Sequence, residues 1–275
     1  MDPTQPTPAP TGAECCPRRS FMLGGLLGGA GGLAVAKASG WSWSPKPEPG
    51  PKPLDPVPKG QPEGTKLSYA QFGEDLVAAS LFYSIHVTHP TYLDIGAYRP
   101  IKSNNTYLFY RRGARGVLVE PNVALTEELR RERPEDKVLV AGIGIDDTPA
   151  ADYYVMNIDE LNTFDKGQAE HLERAGQKIL HVVKMPLVNI NRVIADHFGG
   201  AAPDYLSIDI EGMDYAVLKT LDYARFRPKV ICAETLITTT LKHNPDTVKL
   251  LNEKGYELRG MTYPNVFFMD KRLLG

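Results

Sequence analysis

The chain has 275 residues, 42% of them hydrophobic, with 31 Lys and Arg against 33 Asp and Glu and a net charge of −2. That length suits one globular domain with a tail, and it is long enough to bury a sizeable core. The balanced charge excludes the basic excess of a nucleic-acid binder and the acidic excess of a solvating disordered chain.

Residues 1–65 differ from the rest: Pro and Gly dominate and β-branched residues are scarce. Within residues 1–44 lies Pro17-Arg18-Arg19-Ser20-Phe21-Met22-Leu23, followed by an apolar, Gly-rich stretch to Ala36. The small-x-small patterns Ala34-Val35-Ala36 and Ala36-Lys37-Ala38 come next. This order resembles a twin-arginine export signal, which would be handed to the twin-arginine export machinery and leave the protein exported or membrane-tethered. If the arginine pair is a chance feature, the location is cytoplasmic. The apolar stretch falls short of the roughly 20 apolar residues of a transmembrane helix. Residues 45–65 form a Pro-rich, charged linker that stays extended. The folded domain is expected over residues 66–275.

From Ser68 onward, helical and extended patterns alternate. A helix is expected over Leu76–Ser84, then a buried strand over Thr91–Gly96. A helix over Asn104–Arg112 ends at Gly113. A strand over Gly116–Pro121 precedes a helix that Asn122 caps and Pro134 ends. Lys137–Gly142 reads as a third strand. Asp152–Met156 and His181–Val188 alternate as strands do, with a polar helix between them over Asp165–Lys178. That polar helix is either a lid or a solvated face. Asn189–His197 reads as a helix and Asp204–Asp209 as a strand. Ile210-Glu211-Gly212 then leads into a helix ending at Leu221. Pro228–Glu234 and a terminal strand pair, Tyr256–Gly260 and Val266–Met269, complete the series. The fold class is therefore α/β: a doubly wound, mostly parallel sheet with an antiparallel terminal strand.

In such sheets ligands bind outside the carboxyl ends of the strands. Asp94, Glu120 and Asp209 each stand at a strand end, so three carboxylates are expected along one edge. Asp94-x-Gly96 is a tight turn whose glycine lets a ligand approach the backbone. An acid at the next strand end, Glu120, accepts ribose hydroxyls in dinucleotide-binding folds. Gly96-Ala97-Tyr98-Arg99-Pro100-Ile101 lacks the Gly-x-Gly-x-x-Gly of a pyrophosphate site, which disfavours a nicotinamide oxidoreductase. A nucleoside ligand without pyrophosphate, such as S-adenosylmethionine (SAM), fits better.

The ordered blocks Gln71-Phe72-Gly73-Glu74-Asp75, Asp94-Ile95-Gly96-Ala97, Ser103-Asn104-Asn105-Thr106, Val119-Glu120-Pro121 and Ile208-Asp209-Ile210-Glu211-Gly212 resemble the FkbM-type methyltransferase family. The final strand, Lys229-Val230-Ile231-Cys232-Ala233-Glu234, also fits. The resemblance implies a class I SAM-dependent fold and methyl transfer, usually to a hydroxyl oxygen, with a small-molecule or glycan-like acceptor. It implies that Asp94, Gly96 and Ala97 shape the methionine pocket and Glu120 holds the ribose. Gln71, Glu74 and Asn105 would contact the cofactor from the sides. Asp209 becomes the candidate base or positioning group, with Glu211 second. Asp209, Glu211 and Glu234 could alternatively hold Mg²⁺ through hard oxygen ligands.

Plainer roles compete with these. Asp209 also stands where an Asp commonly caps the following helix, although the functional role is the favoured one. Tyr153, Tyr154 and Phe164 are expected in the core rather than in a substrate pocket. Cys232, in the apolar run Val230-Ile231-Cys232-Ala233, reads as a buried core residue, and with Cys15 and Cys16 in the tail the domain holds no disulfide framework. An exported or tethered binding module that keeps the fold without catalysis is the competing function, because SAM is made in the cytoplasm.

Overall fold

The computed structural model describes residues 59–210, 212–237 and 242–275. The twin-arginine-like segment, Cys15, Cys16, most of the Pro-rich linker and Glu211 lie outside the described residues.

In chain order, helix α1 (Glu74–Ser84) precedes strand β1 (Tyr92–Ile95) and the short helix α2 (Tyr107–Arg111). Then come β2 (Gly116–Val119), α3 (Val123–Glu132), β3 (Lys137–Leu139) and β4 (Gly142–Gly144). An inserted unit follows: β5 (Ala150–Met156), a 3-10 turn (Asp159–Leu161), α4 (Lys166–Arg174) and β6 (Ile179–Asn189). The chain returns through α5 (Ile190–His197), β7 (Tyr205–Ile208), α6 (Asp214–Thr220) and β8 (Val230–Glu234). The small pair β9 (Leu236–Ile237) and β10 (Lys242–His243), helix α7 (Pro245–Glu253), β11 (Tyr256–Met261) and β12 (Asn265–Asp270) close the domain.

The main sheet runs β11-β12-β8-β7-β1-β2-β3. β1 pairs in parallel with β2 and β7, β7 with β8, and β12 is antiparallel to both β8 and β11. Strand alternation divides the core. Leu93, Ile95, Val117, Val119, Leu206 and Ile208 pack with α5, α6 and α7 on one face. Tyr92, Leu118, Tyr205 and Cys232 pack with α1, α2 and α3 on the other. At ~1.5–3 kcal/mol for each fully buried large apolar side chain, these two layers supply most of the driving force.

Local chemistry explains the boundaries. Asn122, Asn189 and Asn244 each accept a backbone N–H from the first turn of the helix they cap. Helix α2 starts later than its sequence suggests, because the Asn104 side chain accepts the N–H groups of Thr106 and Tyr107. That local bonding competes with an earlier helical start. The expected strand over Lys137–Gly142 is two strands. β3 pairs with β2, whereas β4 leaves the main sheet to pair with β6. The polar helix is shorter than expected, ending before Gly176, which takes a φ of 93°. Helix α7 and the β9–β10 pair were not expected from the sequence.

Candidate active site

A cleft of about 660 Å³, counted out to its mouth, opens at the carboxyl ends of β1, β2 and β7 and extends to β4. Gly96 forms part of its wall. After β1 ends at Ile95, the N–H groups of Gly96 and Ala97 both donate to the Val119 carbonyl at 2.9 and 3.2 Å. Gly96 has a φ of 79°, in the left-handed region that favours glycine. On the other side Asp209 N donates to the Ile95 carbonyl at 3.0 Å, bringing the turn after β7 against the turn after β1.

Glu120 lines the cleft beside Gly96. Its Oε2 accepts Tyr98 N and its Oε1 accepts Asn122 N, each at 2.9 Å. Asp209 lines the cleft on the opposite side of Gly96. Behind it the carboxylate of Asp214, buried at the start of α6, accepts Ile210 N at 3.3 Å and Gly212 N at 3.2 Å. Burial, reinforced by the charge of Asp209, pushes the Asp214 carboxyl well above the usual carboxylate range. The turn that carries Asp209 is thus fastened from behind.

The rim comes from the turn after β1 and from the insertion. Tyr98 holds a left-handed φ of 53° and its hydroxyl donates to the Glu160 carboxylate. Burial and that bond push the phenol up to about 12. Arg99 Nη2 meets Asp159 Oδ2 at 2.9 Å, and Nη1 lies 3.7 Å from Glu128. Two side-chain ties therefore hold the 3-10 turn against the rim of the cleft beside Tyr98. Tyr153 and Phe164, expected in the core, both line the cleft; Tyr154 does pack into the core of the insertion.

Several expected site residues lie elsewhere. Asp94 is not on the cleft edge with Glu120 and Asp209. It shares the β1 face of Tyr92, where its carboxylate accepts the Thr106 hydroxyl at 2.7 Å. Burial pushes the Asp94 carboxyl up, against the pull of Thr106 and Arg133. Ala97 is buried in the core behind the turn. Glu74, fully buried, accepts Phe72 N, the Thr262 hydroxyl and the Asn265 amide, so it ties the start of α1 to β12. Asp75 does the same for Ser68 and Tyr69. Gln71 is exposed, and Asn105 donates to the Ser207 hydroxyl; neither lines the cleft. Of the carboxylates considered for Mg²⁺, Asp209 lines the cleft and Glu234 does not, while Glu211 lies outside the described residues. No group of three potential metal ligands occurs among the described residues.

A singly antiparallel seven-stranded sheet, with a cleft at the ends of its central strands, defines the class I methyltransferase type of α/β fold. The chain belongs to the FkbM methyltransferase family: the Methyltransferase FkbM domain matches residues 94–258, more than half of the chain. No curated protein matches it. Among solved structures it is similar to the methyltransferase FkbM of Methylobacillus flagellatus, at 15% identity and a TM-score of 0.40, over 66% of this chain and 44% of that one. The chain thus spans less than half the length of that protein. A TehB-like SAM-dependent methyltransferase of Corynebacterium glutamicum is 8% identical over 73% of this chain and 89% of its own, with a TM-score of 0.38. The 1,6-didemethyltoxoflavin-N1-methyltransferase of Burkholderia thailandensis, solved with S-adenosylhomocysteine (SAH), is 11% identical over 72% of this chain and 77% of its own, with a TM-score of 0.38.

Proposed function

We propose that this chain methylates a hydroxyl group of a small or sugar-like acceptor, with SAM as the methyl donor. The observation that carries the reading is that Glu120 and Asp209, at the ends of the two strands flanking β1, line one cleft together with Gly96. Glu120 accepts the ribose hydroxyls. Gly96 lets the backbone lie against the ligand. Asp209 accepts the proton of the acceptor hydroxyl, or holds that hydroxyl in line. When bound, SAM supplies a methyl group on a positively charged sulfur. Positioning provides much of the acceleration of an in-line displacement, and a base adds ~10²–10⁴-fold.

Calorimetric titration of SAM and SAH into the protein tests the reading. Saturable binding of both is expected. Absence of heat and of any thermal shift would sink it. The binding-module alternative is motivated by the twin-arginine-like segment; SAH binding without turnover on any hydroxyl acceptor would favour it. We propose that this segment directs export. A reporter fused to residues 1–44 should be exported, and Arg18→Lys with Arg19→Lys should abolish that export. Unchanged export of the double variant would remove the proposal.

A further inference from the structure

We propose that Phe164, backed by Tyr153, is the platform on which the base of the bound nucleoside stacks. The inference rests on the methyl-transfer reading of the cleft. It follows from the order of groups along the carboxyl edge of the sheet: Asp209 after β7, Gly96 after β1, Glu120 after β2, then Gly142 at the start of β4. Neighbouring strands lie about 4.8 Å apart. With the ribose at Glu120 and the sulfur-bearing end toward Gly96 and Asp209, the base must point the other way, toward Gly142.

At that end the wall comes from the insertion. A Cβ built on Gly142 would lie 2.6 Å from Phe164 Cζ and 2.8 Å from Leu187 Cδ2. The Phe164 ring thus occupies space that any side chain at position 142 would need. Tyr153 supports it, with ring centroids 4.7 Å apart and planes tilted by 46°. Tyr153 is only 1% exposed, whereas Phe164 is half-buried and lines the cleft.

The backbone around Phe164 is fixed on both sides. Thr163 exchanges both backbone bonds with Tyr154, at 2.8 and 3.1 Å. Asp165 caps α4 by accepting Gln168 N, and its own N–H donates to the Thr163 hydroxyl. Leu125, Ala141 and Ile143 complete an apolar slot at this end. A flat, uncharged heterocycle suits such a slot, because its faces lose little hydration and gain an aromatic contact.

Calorimetry with SAH on the full chain tests the assignment. Phe164→Leu should weaken SAH binding about tenfold, as expected for loss of one base–aromatic stack. Phe164→Tyr, which keeps the ring, should stay within about threefold of the unaltered protein. Phe164→Leu binding SAH as tightly as the unaltered protein would overturn the proposal, as would an equal loss in Phe164→Tyr. If Phe164→Leu does not fold, Phe164→Trp decides. Its indole emission should change on adding SAH, over the background of Trp41 and Trp43 measured in the unaltered protein. Calorimetric binding to Phe164→Trp without an emission change would overturn the proposal. Failure of the unaltered protein to bind SAH would instead remove the methyl-transfer reading, and this assignment with it.

Discussion

A Cβ added to Gly96 would stand 2.0 Å from the carbonyl oxygen of Asp209. The two turns that flank the cleft are therefore in backbone contact, and the residue type at 96 is set by Asp209 as much as by any ligand. Nothing at this contact can swing aside, since the obstructing atom is main chain.

Gly96→Ala should accordingly cost about 3 kcal/mol or more, combining left-handed strain with separation of the β1 and β7 turns. Urea denaturation measures this. A loss below ~1 kcal/mol would show that the turns can part freely.

Glu120→Gln keeps the shape of the side chain but removes the charge. SAH affinity should fall about tenfold, since hydrogen bonds to charged groups contribute ~1.5–3 kcal/mol and neutral ones less. The melting temperature should shift by only a few degrees. Affinity unchanged by the substitution would place the ribose elsewhere.

Asp209→Asn should reduce turnover by ~10²–10⁴-fold while SAH affinity stays within a few-fold. Equal loss of both would reduce Asp209 to a cofactor contact.

Arg133 is fully buried, with Nε 2.8 Å from Asp136 and Nη2 3.0 Å from both the Tyr92 and Thr106 hydroxyls. Replacing it by Met strands Asp136 and should cost about 3–5 kcal/mol. Adding Asp136→Asn should recover part of that loss. A double variant no more stable than Arg133→Met would contradict the ion-pair account.

Burial works against ionisation of Asp270, but hydrogen bonds from Arg227 and Arg272 prevail and hold its carboxyl at about 2, below the ordinary 3.8. A folded-state value below the unfolded one means the native state favours the ionised form. This contribution is complete above about pH 4 and fades as pH falls toward 2. It is on the order of 1 kcal/mol after solvent screening. The stability gap between the unaltered protein and Asp270→Asn, followed by urea denaturation against pH, should close over that window. A gap constant from pH 7 to 2 would contradict it.

The central sheet was legible because β1, β2, β7 and β8 are short apolar runs ending in acids, glycine or proline. The face of Asp94 was not. In a four-residue strand buried on both sides, Tyr92-Leu93-Asp94-Ile95, hydrophobicity does not say which alternate set meets the cleft. The block around Glu74 marked a real constraint of a different kind, since that carboxylate ties α1 to β12 across 191 residues of chain. The cleft roles of Tyr98, Asp159 and Phe164 depend on how the insertion folds back over the turn after β1, a long-range pairing with no local signature. Helix α7 was missed although Asn244 and Pro245 form a cap and first-turn pair that could have marked it.

Cys232 is a free thiol sealed in the core, its ionisation suppressed first of all by burial. No disulfide links the described residues, so their packing asks nothing of the redox state around them. The domain can reach the same folded form in a reducing or an oxidising compartment. Closing the core around Cys232 therefore calls for no oxidant.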